Sequence, residues 1–194
     1  MDKIVLASNN VGKLKEFGQL LAPLGIEVLP QSAFNVSEAE EPHVTFVENA
    51  LAKARHCSLA TGLPALADDS GLCVEVLGGA PGVISARYAG EPKSDARNNE
   101  KLLANLKDVA DRRAHFTCVL VLVRHADDPQ PIICEGEWHG EILDGPRGAQ
   151  GFGYDPLFGV PGLNQSAAEL SHEEKNARSH RGQAVQKLLQ RLRG

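Results

Sequence analysis

A short apolar run, Ala65-Leu66-Ala67, stops at two adjacent carboxylates, Asp68 and Asp69, followed by Ser70 and Gly71. Gly62 and Pro64 bound the run on its other side. No other stretch restricts the fold as tightly. The run reads as a buried strand. The acidic pair then falls where the strand leaves its sheet, which is where open α/β sheets bind ligands. Successive side chains on a strand point to opposite faces, so Asp68 and Asp69 serve different surroundings unless a bulge intervenes. Adjacent carboxylates also repel unless a cation or a basic side chain compensates them. Asp-Asp-Ser-Gly is equally good turn chemistry, and this stretch alone leaves both readings open.

The segments around it supply the rest of an α/β pattern. Lys3–Ser8 reads as a buried first strand and leads through Ser8-Asn9-Asn10-Val11-Gly12-Lys13 into a helix with Leu14, Phe17, Leu21 and Leu24 on one face. A strand, a polar turn and a helix start present free N–H groups and the positive end of a dipole, which is an anion site. Lys13 there is disfavoured by the dipole unless a negative group is close; a solvated lysine is the plain alternative. After a short strand at Glu27–Leu29 comes the acidic loop Ser37-Glu38-Ala39-Glu40-Glu41-Pro42. It is an ordinary solvated loop unless the fold brings it beside Asp68-Asp69, where a divalent cation would use its oxygens. Thr45-Phe46-Val47-Glu48 forms a capping box and opens a helix to about Thr61, with Phe46, Ala50, Ala54 and Cys57 as a small-residue stripe and Lys53 and Asn49 on an adjoining face.

Downstream of the acidic pair, Leu72–Leu77 reads as a further strand, and Gly78–Gly82 as a glycine-rich loop leading to Ser85, Arg87 and Tyr88. A helix from about Asp95 to Leu106 buries Leu102, Leu103 and Leu106 and reads as structural. Ala114–His125 and Pro131–Glu137 read as an antiparallel pair, with a strand near Trp138–Leu143 extending it. His115, His125 and His139 lack metal-ligand spacing and read as surface or edge residues. Phe152-Gly153-Tyr154-Asp155-Pro156 presents a flat aromatic face beside an acceptor, which suits a nucleobase; a packed aromatic turn is the alternative. Ser171–Glu174 is a second capping box with Lys175 just inside, and Ser179-His180-Arg181-Gly182 starts a C-terminal amphipathic helix. Cations at helix starts run against the dipole, so Lys175, His180 and Arg181 imply something anionic or electron-rich nearby.

Composition narrows the classes. With 194 residues, 42% of them hydrophobic, the chain supports one well-buried core. No repeat, low-complexity tract or linker marks a second domain, so residues 1–194 read as one domain. A net charge of −5 argues against a nucleic-acid polymer as the main partner. The longest apolar run, Cys118–Val123, is too short to span a bilayer, and the N-terminal segment lacks signal-peptide regions. Four cysteines without a CxxC pair read as small core residues in a reducing, cytoplasmic setting.

An anion cradle with Lys13, a potential divalent site, a second lysine, an aromatic turn with a carboxylate and a late basic cluster together describe a Mg²⁺-bound nucleoside triphosphate. In six blocks the chain resembles the Ham1/RdgB-type inosine triphosphate pyrophosphatases, the non-canonical purine NTP pyrophosphatases. The blocks are Ser8-x-Asn10-x-x-Lys13, Thr45-Phe46-x-Glu48-Asn49-Ala50-x-x-Lys53-Ala54, Ala67–Leu72, Gly79-Ala80-Pro81-Gly82-x-x-Ser85-Ala86-Arg87-Tyr88, Gly151–Pro156 and Ser179–Gly182, in the family's order over essentially the full length. Ser8 stands where many members carry Thr and keeps the hydroxyl.

The resemblance implies an α/β fold: an elongated mixed β-sheet flanked by helices, in two lobes with the active-site cleft between them, and a homodimer. It implies hydrolysis of ITP, dITP and XTP to monophosphate and pyrophosphate. Carried over by position, Glu40 and Asp69 match the magnesium positions, and Asp69 also the base. Ser8, Asn9, Asn10, Val11, Gly12, Lys13, Lys53, Ser70 and Lys175 match phosphate or substrate contacts. Phe152, Gly153, Tyr154, Asp155, His180 and Arg181 match base contacts. The chemistry of these residue types adds that Lys53, Lys13 and Arg87 offset leaving-group charge, that Asp68 supports the site from behind, and that Asp155 or nearby backbone accepts from a purine N1–H. Two other readings are a pyrimidine-directed pyrophosphatase of the Maf type and a non-catalytic nucleotide-binding protein.

Overall fold

The computed structural model describes residues 1–193. Its strands are β1 (Lys3–Leu6), β2 (Glu27–Pro30), β3 (Ala65–Val74), β4 (Arg113–Val123), β5 (Ile132–Ile142) and β6 (Phe158–Gly159). Its α-helices are α1 (Val11–Leu21), α2 (Phe46–Thr61), α3 (Asp95–Asn105), α4 (His172–Arg178) and α5 (His180–Arg193). The strands hydrogen-bond in the order β2-β1-β3-β4-β5-β6. The β1–β2 and β1–β3 pairs are parallel and β5–β6 is antiparallel, so the sheet is mixed and the fold is α/β, as expected. The chain divides into two compact units. One holds Met1–Asp69, Val119–Glu135 and the residues from Ala184 on; the other holds Ser70–Cys118 and Gly136–Gln183.

In the first unit, β1 lies between β2 and β3, with Leu6 opposite both Pro30 and Leu66. The chain therefore moves one way across the sheet through α1 and back the other way through α2. Because such parallel crossovers are right-handed, the reversal places α1 and α2 on opposite faces. Side-chain alternation then divides β3. Ala65 and Ala67 lie in one buried cluster with Val5, with Ala50, Ala54 and Cys57 of α2, and with Val119, Val121 and Val123 of β4. The small-residue stripe of α2 thus packs on the sheet as its spacing predicts, and Asp69 follows Ala65 and Ala67 on that face. Asp68 shares the other face with Leu66. Thr45 caps α2 by accepting the Glu48 N–H, and the helix stops where Gly62, at φ 68°, turns its N–H back to Ser58.

The second unit has an aromatic core. Phe158 packs between Phe116, with ring centroids 4.7 Å apart, and Trp138, at 5.1 Å. Leu102 and Leu106 bring the apolar face of α3 into the same cluster. The charge-rich remainder of α3 faces outward, so that helix has the boundaries and inward face expected of it.

Three strand readings change. β3 does not end at the acidic pair but runs through it to Val74, and Glu75–Leu77 is a 3₁₀ turn, not strand. The turn chemistry of Asp-Asp-Ser-Gly is overridden by the neighbouring strands. β5 is one continuous strand where two segments were expected; alternation of buried and exposed residues persists from Cys134 to Trp138 without a break. All four cysteines are free, with Cys57, Cys118 and Cys134 buried. Burial pushes the Cys57 thiol up to about 11. No helix among the described residues is long and apolar enough to cross a membrane.

Candidate active site

The switch of direction between β1 and β3 sets up the first group of residues. The turn after β1 is ordered by its own side chains: the Asn10 N–H donates to Ser8 Oγ at 3.1 Å, and Asn10 Oδ1 accepts the Lys13 N–H at 3.0 Å as the cap of α1. Asn9 Nδ2 donates to Glu38 Oε1 of the acidic loop. Val11 and Gly12, the first residues of the helix, are exposed. The anion expected near Lys13 is supplied from within the protein. Lys13 Nζ donates to both carboxylate oxygens of Asp68, at 2.9 and 2.8 Å, and Asp68 is buried. This pair gives Asp68 a supporting place behind the turn, on the face of β3 away from α2.

On the other face, Lys53 of α2 stands between two carboxylates. Its Nζ lies 2.5 Å from Glu41 Oε1 and 3.4 Å from Asp69 Oδ1. Burial by itself would lower the Lys53 pKa, but the charge of Asp69, the hydrogen bond and charge of Glu41, and the charge of Asp68 raise it overall. Lys53 is therefore a fixed cation. Burial is also the leading influence on Asp69; with the Glu41 charge it raises that carboxyl above the usual range against the opposing pull of Lys53 and Asn49. Asp69 Oδ2 is buried with no hydrogen-bond partner, as is Ser70 Oγ beside it. A buried carboxylate oxygen without a protein donor is open to water or to a ligand.

The acidic loop is tied to α2 by buried Asn49, whose amide accepts from the His43 N–H and donates to the His43 carbonyl. His56 holds the far end of the loop at Ser37. This brings Glu41 to Lys53, a residue that reading the sequence passed over. Glu40, the expected magnesium position, is exposed and lines a groove with Ser37, Glu38, Pro42, His43 and His56. Three glutamates in a loop without periodicity offered no signal for choosing between them.

The second unit contributes the aromatic turn. Asp155 Oδ2 accepts the Phe152 N–H at 2.8 Å and the Lys175 ammonium at 2.5 Å, and the Asp155 N–H returns to the Phe152 carbonyl. Asp155 is only 3% exposed, so its carboxylate braces the turn. Gly151 is required there: at φ 80°, a Cβ on it would stand 2.2 Å from Asp155 Oδ2. Tyr154 is buried, its hydroxyl donating to the Ser85 carbonyl at 2.8 Å. Phe152 is 68% exposed, with Lys175 Nζ 4.8 Å from its ring centroid. An exposed aromatic ring on a braced turn is a platform for a flat ligand.

Lys175 belongs to the last turn of the short helix α4, where a cation suits the dipole, so the expectation of a strained helix start does not hold for it. His180 opens α5 and stacks on Phe116, with centroids 5.0 Å apart and planes 15° from parallel. Arg181 is half-buried beside it, as is Arg87 at the end of the 3₁₀ stretch Gly82–Arg87. Gly182 lets α4 and α5 meet, since a Cβ there would fall 1.9 Å from the Asn176 carbonyl oxygen.

The Ham1 family model matches residues 4–191. A protein of Ralstonia nicotianae named dITP/XTP pyrophosphatase is 66% identical, covering 100% of this chain and 98% of that protein. One of the same name from Aromatoleum aromaticum is 68% identical over 98% of this chain and 96% of its own. A solved Ham1 protein from Coxiella burnetii superposes with a TM-score of 0.97 at 53% identity, covering 100% of this chain and 99% of that one. With continuous family identity from β1 into α5 and a near-superimposable backbone, the chain belongs to the Ham1 family.

Proposed function

We propose that the protein is a nucleoside-triphosphate diphosphatase that hydrolyses non-canonical purine nucleotides, XTP, dITP and ITP, to the monophosphate and pyrophosphate. We further propose that it works as a cytoplasmic homodimer on free nucleotides, without a nucleic-acid or membrane partner. The observation that carries the reading is the buried Asp69 oxygen without a donor, set beside a lysine already held by two carboxylates. The two relatives above, named for dITP and XTP, support the substrate class.

The residues fit a Mg²⁺ ion. Among the described residues no three acidic, histidine or cysteine side chains converge into a cage. Mg²⁺ does not ask for one, because it keeps water and substrate phosphate oxygens and takes one or two carboxylates from the protein. Asp69 would hold it with a glutamate of the acidic loop, Glu40 at the family's position or Glu41 at the nearer one. Bound there, the ion would neutralise phosphate charge and orient the chain of phosphates. The protein's own groups do the remainder. Asp69 orients a water and accepts its proton. Lys53 and Lys13, with Arg87, offset charge on the departing pyrophosphate. The turn from Ser8 to Gly12 and the α1 start offer N–H groups to phosphate oxygens, while Ser70 and Lys175 add substrate contacts. Phe152 stacks on the base, with Gly153, Tyr154 and Asp155 shaping the turn under it, and His180 and Arg181 donate to the 6-carbonyl that hypoxanthine and xanthine share. Adenine, with a donor at that position, leaves buried donors unmatched and is rejected by orders of magnitude.

The test is pyrophosphate release from ITP, XTP, GTP, ATP, dTTP and UTP, with and without EDTA. Release from ITP and XTP that EDTA abolishes and Mg²⁺ restores is expected. Preference for dTTP or UTP, or turnover that survives EDTA, would overturn the proposal.

A further inference from the structure

Helix α3 carries no residue of the site described above, and its first turn looks ordinary, with Ser94 as cap and Asp95 where the dipole favours an acid. The outward side chains of that turn are nonetheless committed to a distant residue. Asp95 Oδ2 accepts the Gly153 N–H at 2.7 Å, and Asn99 Nδ2, one turn along the same face, donates to the Gly153 carbonyl at 3.0 Å. Both polar backbone groups of one glycine are thus held by an i, i+4 pair on a single helix. Gly153 has φ 62°, so this residue would otherwise have wide conformational freedom. Asn99 Oδ1 is buried without a hydrogen-bond partner. An amide that leaves one end unsatisfied in order to face Gly153 is not a casual surface contact.

The clamp sits at the centre of the aromatic turn. On one side of Gly153 is the exposed Phe152 ring, and on the other Tyr154 is anchored to the Ser85 carbonyl. The same helix holds that anchor as well, through Asn98 Nδ2, which donates to the Ser85 and Ala86 carbonyls. With the N–H and carbonyl of Gly153 both held, the backbone that carries the Phe152 ring is tied to α3. A site that discriminates bases by edge polarity needs its groups held to a fraction of an ångström by a supporting layer.

We propose that Asp95 and Asn99 are positioning residues that set base specificity by locking Gly153; this rests on the reading of residues 152–155 as the base-contacting turn. The experiment uses the full chain and its variants Asp95→Ala, Asp95→Asn and Asn99→Asp. Asp95→Asn keeps an oxygen acceptor for the Gly153 N–H and removes only the charge. Asn99→Asp is isosteric but turns an oxygen towards the Gly153 carbonyl. Two readouts are taken: steady-state pyrophosphate release from XTP and GTP, and amide hydrogen exchange at Gly153 by NMR without nucleotide.

Asp95→Ala and Asn99→Asp should raise KM for XTP roughly tenfold, from one lost hydrogen bond and the group it leaves unpaired. They should leave kcat within about twofold, as expected for lost uniform binding, narrow the XTP-to-GTP ratio of kcat/KM, and speed Gly153 exchange. Asp95→Asn should stay near wild type in every measure. If Asp95→Asn falls as far as Asp95→Ala, the helix-dipole charge is what matters and the clamp is overturned. Faster exchange with KM and the XTP-to-GTP ratio unchanged would overturn it too, as a loop contact without a role in specificity. Should wild type release no pyrophosphate from any purine nucleotide, the functional reading fails by itself. Gly153 exchange in Asp95→Ala then decides the clamp, faster exchange supporting it and unchanged exchange refuting it.

Discussion

The two compact units solve the problem of holding polar groups in opposite ways. In the first, each carboxylate of the acidic pair is matched to a lysine on a different helix: Asp68 to Lys13 of α1 and Asp69 to Lys53 of α2. The geometry there follows from regular elements, one strand and two helices, through the parity of side chains along β3. In the second, the working residues lie on turns, and hydrogen bonds from remote side chains hold them: Asp155 to the Phe152 N–H, Tyr154 to the Ser85 carbonyl, Asp95 and Asn99 to Gly153. Charge matched across secondary structure suits chemistry on phosphates. A braced turn with an exposed ring suits recognition of a flat base. On the function proposed above, the first unit would carry the rate and the second the selectivity.

The sharpest way to break this division is Asp69→Asn. It keeps size and shape but removes the proton acceptor, so kcat should fall by roughly 10²–10⁴-fold while nucleotide binding, measured by calorimetry, persists. Wild-type turnover in that variant would end the assignment. Phe152→Ala should do the reverse, raising KM about tenfold, within the range for loss of base stacking, and leaving kcat nearly intact. The melting temperature should hold too, because the ring is mostly exposed. A kcat loss larger than the KM change would place Phe152 with the chemistry instead.

The smallest expected effect separates scaffold from function within the first unit. Asp128 is fully buried and accepts from the Arg124 side chain and from the N–H groups of Arg124 and Gln130. The hydrogen bond from the Arg124 guanidinium leads in holding its carboxyl well below the usual carboxylate range, against burial. Its folded pKa is depressed, so its stabilisation is complete above the ordinary carboxylate range near pH 4 and drains away as pH falls below that. Asp128→Asn should therefore cost about 1–2 kcal/mol at pH 7, with the gap from wild type closing on acidification and kcat unchanged. A gap that widens in acid would contradict the sign.

How much of this was legible in the sequence follows the same division. Parity along β3, the Thr45 cap, the stripe on α2 and the cap-and-lysine turn before α1 could all be read, because regular elements translate spacing into direction. The continuity of β3 through Ser70 and Gly71 could not, since local turn chemistry gave no warning that its neighbours would keep the chain extended. Glu41 was hidden because a loop has no period to choose it over Glu38 or Glu40. Asp95 and Asn99 were hidden for another reason: on a helix wheel they are surface residues, and their partner lies more than fifty positions away. The aromatic turn was visible as a motif, but nothing in its residues indicated that Asp155 would be occupied in bracing it.

The alternation along β3 also says which kinds of genetic change this chain can absorb. Substitutions near the acidic pair alter one contact at a time. A codon gained or lost between Ala65 and Asp68 would flip the parity of the strand that follows and turn both aspartates away from their lysines. In this segment the number of residues is therefore as constrained as the identity of the two aspartates and of the small side chains packed on α2.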